Sequence, residues 1–471
     1  MIRKTACSAV ALLALLGATP AFATNGMNLE GYGSKSMAMG GTGSAYDTGN
    51  SAAMNNPATL GFMKEGNAEI GFGIRALHPD VDVTYGGQKE DSVANAFYMP
   101  SISYMRRDGR ISWGAAMFAQ GGMGTDFGSN SMLFSGGQSW PGGGAVPMSG
   151  QDIRSEVGVA RLMFPVAYHL TNDTTVGASF DVVMASMDLR MDMDGTHFAN
   201  MMVGNGGSVS GSMRSSLQGM MSGGMITGIN YARFDFSNNS PWIGEAKGFG
   251  TGLKFGFTHK VSKELTIGAS YHSQTKLADL ETSKATLSFD GTGLAFGGGA
   301  VSVTGKIKVR DFEWPATAAL GFAYQASDKL MIASDVKFID WSSVMDKFSM
   351  TFIADDSNPG FAGQNLDVTM KQEWKDQTVF SVGVQYMATK KLALRAGASF
   401  STNPISDQYL NPLFPAITKD HYTCGFGYRL TDKSSVAAAL SLVPKVTSTN
   451  GDGVENAHSQ VNWSMNYTHS L

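Results

Sequence analysis

The sequence is poor in charge and in cysteine, and each shortage excludes a class of protein. Charged residues are 16% of the 471, against about 25% in ordinary globular domains, and a net charge of −4 gives no reason to propose nucleic acid as a partner. Cys7 and Cys424 stand apart from any Cys/His cluster, so we expect neither a disulfide scaffold nor a metal site. The sequence also lacks a Gly-x-x-x-x-Gly-Lys-Ser/Thr loop for nucleotide phosphates, and no cofactor is expected.

The first residues have the pattern of a secretory signal. A basic start at residues 1–4 precedes an apolar stretch at 9–16 and the motif Ala21-Phe22-Ala23, which is typical of a cleavage site. The apolar stretch is too short to cross a bilayer as a helix. We therefore expect residues 1–23 to be a signal peptide and the exported chain to begin at Thr24.

Beyond the signal, the dominant pattern is an alternation with period two. From Val461 to Leu471 one parity is mostly apolar or aromatic, and the other holds Asn, Ser and Thr. A strand that crosses a membrane presents one face to lipid and the other to a lumen, with about ten residues per crossing. The same alternation occurs over 265–271, 392–400 and 422–430, and it predicts that Cys424 faces lipid.

The alternation predicts an all-β fold, an antiparallel transmembrane β-barrel of about fourteen strands over residues 64–471. The strands are expected to begin near residues 67, 95, 110, 154, 173, 249, 264, 303, 328, 377, 391, 419, 433 and 459. Short turns such as Arg107-Asp108-Gly109 alternate with long loops, as in bacterial outer-membrane barrels. A soluble β-sandwich also alternates, but its exposed face normally carries many charges, whereas these polar faces are mostly Gly, Ser, Thr and Asn.

Residues 24–63 do not alternate and are rich in Gly, Ser, Ala, Asn and Met. Because a wide barrel encloses a lumen that its own side chains do not fill, we predict that this segment is a hatch that plugs the lumen. We expect a monomer in the bacterial outer membrane that crosses it many times. Its partners would then be outer-membrane lipid and the barrel-assembly machinery.

Several motifs resemble the FadL/TodX family of outer-membrane transporters. Gly31-Tyr32-Gly33-Ser34-Lys35-Ser36-Met37-Ala38-Met39-Gly40-Gly41 and Ala52-Ala53-Met54-Asn55-Asn56-Pro57-Ala58 look like the family's hatch. Gly121-Gly122-Met123-Gly124-Thr125-Asp126-Phe127, Asp340-Trp341-Ser342 and Asn403-Pro404 continue the match in order, so it covers essentially the whole mature chain. The final Leu471 is a departure, since such barrels commonly end in an aromatic residue.

The resemblance implies a passive channel and not an enzyme. Its expected substrates are long-chain fatty acids, with aromatic hydrocarbons or alkanes as the alternative. It implies a lateral opening where the third strand kinks, best matched by Gly121 and Gly122, and a hatch motif of Asn56, Pro57 and Ala58 against the wall near that kink. The rivals are a general aqueous porin, which would have an open lumen, and an outer-membrane hydrolase, for which no His lies in a recognisable nucleophile motif.

The long loop between about residues 195 and 248 is rich in methionine, a side chain that adapts to ligands of varied shape. The candidate ligand-binding residues are Met201, Met202, Met213, Met220, Met221, Met225 and Trp242. Alternatively, these methionines pack the loops against one another. Arg75, Arg395 and Arg429 are predicted to face the lumen, where they would pair with a ligand carboxylate or neutralise Asp181 and Asp335.

Overall fold

The computed structural model describes residues 25–131, 148–240 and 242–471, so the predicted signal peptide lies outside the described residues. None of the helices within these ranges has the length and apolar character of a membrane span.

Within these ranges, twenty-four strands form one hydrogen-bonded sheet. The first twelve in chain order are β1 Ala68–Leu77, β2 Pro79–Tyr85, β3 Gln88–Asp91, β4 Phe97–Asp108, β5 Ile111–Gly128, β6 Ile153–His169, β7 Thr174–Asp194, β8 Gly207–Ser210, β9 Gly228–Phe236, β10 Ala246–Lys260, β11 Leu265–His272 and β12 Lys276–Leu277. The other twelve are β13 Leu280–Glu281, β14 Ala285–Thr292, β15 Val301–Arg310, β16 Thr317–Ser327, β17 Leu330–Ile339, β18 Lys347–Ala354, β19 Asn365–Lys371, β20 Gln377–Met387, β21 Leu392–Ser401, β22 His421–Arg429, β23 Ser434–Thr449 and β24 Glu455–Ser470.

The helices are short and lie at the N-terminus and in the long connections. The α-helices are α1 Gly33–Ala38, α2 Ala52–Asn55, α3 Gly195–Met202 and α4 Ser212–Ser222. The 3-10 helices are Gly49–Ser51, Pro57–Phe62, Leu294–Phe296 and Asp407–Tyr409.

The sheet closes on itself, because β1 pairs antiparallel with β24 over Glu69↔Ser470 to Ala76↔Trp463. Its outward face is apolar and, on strands such as β24, its inward face is polar, as the alternation predicts. On β24, Val461 and Met465 are 50% and 55% exposed, whereas Asn462 and Ser464 are buried against the interior. Cys424 is also on the exposed face. The predicted antiparallel β-barrel is therefore confirmed.

The predicted number of strands is wrong: eighteen strands of the closed sheet have eight or more residues. The four that the alternation missed are β9, β14, β16 and β18. In β9, β14 and β18 the buried apolar side chains, such as Phe234, Leu287 and Phe352, face the interior instead of lipid, so they do not show the membrane pattern. In β16 the inward positions Ala319 and Ala323 are apolar as well as the outward ones, which weakens the alternation.

Residues 25–63, called the hatch below, lie inside the closed sheet. Helix α1 contacts β21, β22, β23 and β24, and the 3-10 helix Pro57–Phe62 contacts β5, β6, β7 and β10. These two groups of strands lie on different sides of the barrel, so the segment extends across the interior. Met37, Ala53 and Ala58 are fully buried.

Candidate functional site

The lumen face of β7 changes character along its length. Near the short turns it carries polar Thr175, Ser179 and Asp181, and toward the long loops it carries apolar side chains from Val183 to Met193, all of them buried. A water-filled pore would keep this face polar along its whole length. The part of the lumen near the long loops is therefore suited to binding an apolar molecule.

A small apolar cavity of about 30 Å³ lies at this level. Five methionines and four aromatic side chains line it, together with Val157 and Leu189: Met27, Met187, Met191, Met345, Met370, Phe312, Phe348, Trp374 and Phe414. The polar lining residues are Gln372 and Asn411, and none of the lining side chains is charged. Methionine can change rotamer at low cost, so this cavity can adjust to a ligand.

A second cavity of about 130 Å³ lies on the side of the long loops and shares four lining residues with the first, Met191, Met370, Gln372 and Asn411. It is more polar, and His197, Lys371 and Tyr409 also line it. The two cavities together form a route from the loops toward the interior.

The predicted ligand-binding methionines lie in the loops and line neither cavity. Met201, Met202 and Met213 are buried in the apolar core of α3 and α4, and Met220 and Met221 pack against that core. Met225 and Trp242 are exposed. The sequence reasoning missed the lining residues of the strands, although the run of apolar residues at alternate positions from Val183 to Met193 was a usable signal.

The predicted kink coincides with an irregularity in β5. The register of β5 against β6 shifts between Ala119 and Gly121, which leaves Gln120 unpaired, as in a β-bulge. Directly after the bulge, Gly122 pairs with Gly158, so two facing residues have no side chain. A Cβ on Gly158 would have nothing within 4 Å, which means that the wall has a gap in its side-chain cover beside the bulge.

The tip of the hatch lies between the apolar cavity and this bulge. The N–H of Gly122 donates to the carbonyl of Met27 at 3.1 Å, and Met27 also lines the cavity. Asn28 forms a β-bridge with Gly121, and its Oδ1 accepts from the indole Nε1 of Trp314 at 2.7 Å.

The motif Asn56-Pro57-Ala58 is seated farther round the wall, mainly on β6, β7 and β10. The Asn56 side chain donates to the carbonyls of Ser44 and Phe257 at 2.7 and 3.2 Å, and its Oδ1 accepts from the N–H of Ala58 at 3.0 Å. It therefore caps the 3-10 helix and joins that helix to β10. Met27 and Asn28, and not this motif, contact Gly121 and Gly122.

We expect a Gly256→Val substitution to unseat the hatch, because a Cβ on Gly256 would lie 2.1 Å from Asn56 Oδ1. The hatch of the assembled variant should become accessible to protease added on the side of the short turns. Ala269→Val, on the outward face of the neighbouring strand, is the matched control and should leave cleavage unchanged. Equal cleavage in both variants would show that the motif does not hold the hatch.

Buried charges of the lumen also hold the hatch. Arg75 forms a salt bridge with Glu30 of the hatch, and Asp335 accepts from the backbone N–H groups of Gly43 and Ser44 at 2.8 and 3.1 Å. Burial alone would raise the pKa of Glu30, but the adjacent Arg75, together with His421, outweighs it and holds the pKa below its ordinary value. Among the described residues, Arg75 therefore neutralises Glu30 of the hatch, and not Asp181 or Asp335 as expected.

The family model of the outer membrane protein transport protein (OMPP1/FadL/TodX) matches residues 10–470. The chain belongs to this family. It is thus an outer-membrane β-barrel of a family of channels for hydrophobic compounds, and the resemblance found in the sequence is confirmed.

Solved structures agree with the family. The toluene transporter TodX of Pseudomonas putida is 30% identical, with 94% of this chain and 99% of that one covered and a TM-score of 0.79. The toluene transporter TbuX of Ralstonia pickettii is 31% identical, with the same coverage and a TM-score of 0.75. A Pseudomonas aeruginosa FadL homologue is 16% identical, with 94% and 99% covered and a TM-score of 0.66, which shows the fold alone.

One curated relative is an uncharacterized protein of Chlorobium limicola from the 5′ region of a phosphoenolpyruvate carboxykinase gene. It is 68% identical over 122 residues, which are 26% of this chain. The match spans 59% of that relative's length.

Proposed function

We propose that this family member takes up small, neutral, monoaromatic hydrocarbons. The observation that supports it is the apolar cavity, whose methionine and aromatic lining contains no charged side chain. Aromatic side chains and methionine sulfur interact favourably with an aromatic ring. A fatty-acid carboxylate at the same depth would be buried without a cation, which is costly.

The neighbours support this substrate class, since TodX and TbuX are named as toluene transporters. In the proposed route, the outer cavity collects the molecule and the apolar cavity binds it. The molecule then passes the hatch tip at Met27 and leaves sideways at the bulge of Gly121 and Gly122. The driving force is the concentration gradient of the substrate.

Long-chain fatty acids, which the sequence resemblance placed first, are the second candidate. Lys371 and His197 line the outer cavity, where a carboxylate could remain while the alkyl chain enters the apolar cavity. Lys371 already has Glu373 within 3.7 Å, so its charge is partly neutralised. Lys371 and His197 therefore support a fatty acid less strongly than the uncharged lining of the apolar cavity supports an aromatic hydrocarbon.

The proposal is tested with cells that lack their own such channel, by uptake of labelled toluene and of labelled oleate. Leu189→Trp fills the apolar cavity, and we expect toluene uptake to fall about tenfold or more, a loss of about 1.4 kcal/mol in binding. Val166→Trp, on the lipid face of β6, is the matched control. Oleate uptake that is lost in Lys371→Gln, with no uptake of toluene, would contradict the proposal and favour the second candidate.

A further inference from the structure

A cavity of about 610 Å³ lies at the opposite end of the barrel from the apolar cavity. It opens between the hatch and the short turns that join β20 to β21 and β22 to β23. Short turns of outer-membrane barrels face the periplasm, so this vestibule is on the periplasmic side. The proposed uptake route ends at the bulge and does not use it.

The vestibule carries an excess of positive charge. Seven of its lining side chains are Lys or Arg and three are Asp or Glu, which gives 7 − 3 = +4. The salt bridges within it are limited, among the described residues, to Lys35 with Asp47 at 3.6 Å. Six of the lining cations have no salt-bridge partner within the vestibule among the described residues. They include Arg395, Arg429 and Lys391. Concave surfaces with charge of one sign concentrate small ions of the opposite sign.

Arg395 is fixed in this vestibule with unused donors. Its Nε donates to Gln385 Oε1 on the adjacent strand at 2.8 Å, which orients the guanidinium. Its Nη1 has no hydrogen-bond partner in the part of the chain that the structure describes. A buried guanidinium nitrogen without a hydrogen-bond partner lowers the stability of the fold. The planar guanidinium of arginine can donate two parallel hydrogen bonds to a carboxylate or phosphate group.

We propose that the periplasmic vestibule is a binding site for a small soluble anion that carries carboxylate or phosphate groups, with Arg395 as its anchor. The volume is in the range of small-molecule sites, about 300–1,000 Å³. Arg429 and Lys391 lie on the same wall and supply further positive charge. The site is independent of the apolar route, because the two cavities share no lining residue.

The test is calorimetric titration of the purified full chain with inorganic phosphate, with succinate, and with glycerol as the neutral control. We expect saturable binding of phosphate or succinate that weakens as potassium chloride is added, and no binding of glycerol. The anion that binds more tightly shows whether the site prefers a phosphate group or carboxylate groups. Arg395→Gln should weaken binding about tenfold.

Arg106→Gln, near the end of β4 beside the short turn at the same end and paired with Asp108, is the matched control and should bind like the wild type. Arg395→Gln should leave toluene uptake unchanged, which separates this site from the proposed transport function. If that variant does not assemble, the exposed pair Arg429→Gln and Lys391→Gln takes its place. The absence of saturable binding for both anions, or equal binding in the vestibule variant and the control, would overturn the proposal.

Discussion

Replacing Asp181 by asparagine is expected to cost about 3–5 kcal/mol of folding stability, the usual effect of removing one partner from a buried charge network. Asp181 Oδ2 lies 3.0 Å from Arg161 Nη1 and 2.9 Å from Lys254 Nζ. The three side chains are 0–1% exposed. The substitution leaves two buried cations close together with no carboxylate between them.

The same network joins the wall to the hatch and to the bulge. Arg161 also donates to the side chains of Gln120 and Thr275, and Lys254 Nζ donates to the carbonyl of Ala53 in α2 at 3.2 Å. We therefore expect the loss of Asp181 to loosen the hatch together with the barrel.

The measurement is urea unfolding in detergent micelles, followed by tryptophan fluorescence. Asp108→Asn removes an exposed carboxylate paired with Arg106 at 2.7 Å and should leave the folding stability nearly unchanged, because exposed ion pairs contribute little. Adding Lys254→Met to Asp181→Asn should restore part of the lost stability, because one unpaired cation is removed. A cost for Asp181→Asn equal to that of Asp108→Asn would refute this assignment.

The outward-facing strand positions could be predicted from sequence because lipid imposes a strict condition on one face of each crossing. Tyr422, Phe426 and Val461 are exposed, as their parity requires. Three of the four strands that were missed, β9, β14 and β18, lie where this condition does not act. Phe289 of β14 and Phe352 of β18 are buried in the core beneath the long connections, and segments of this kind follow the weaker pattern of a water-soluble sheet.

The candidate site was harder to predict than the barrel. Gly121 and Gly122 could be chosen from sequence through the resemblance to the family, and a glycine in a strand often marks a bulge. Their partner Gly158 could not, because the register between β5 and β6 depends on the bulge itself. Met27, Met345 and Met370 come from three distant segments, and their convergence depends on barrel closure, which local periodicity does not specify.

A leucine at Gly158 is expected to block lateral release. Gly158 lies on the lipid-facing parity of β6, shared with exposed Leu162 and Phe164, and pairs with Gly122 beside the bulge. A Cβ there meets nothing within 4 Å, whereas a Cβ on Gly122 would lie 2.3 Å from the carbonyl oxygen of Val157. Gly158→Leu therefore fills the gap without straining the strand pairing that Gly122→Leu would disturb.

Toluene uptake by cells that carry Gly158→Leu should fall about tenfold, equivalent to about 1.4 kcal/mol, while toluene still quenches the tryptophan fluorescence of the purified variant as it does in the wild type. Binding is preserved because the apolar cavity at Trp374 is unchanged, and only the exit is narrowed. Ala178→Leu places the same side chain on the lipid face of β7 and should leave uptake intact. If both variants transport toluene equally well, the molecule does not leave through the wall between Gly122 and Gly158, and an exit through the hatch toward the periplasm becomes the better account.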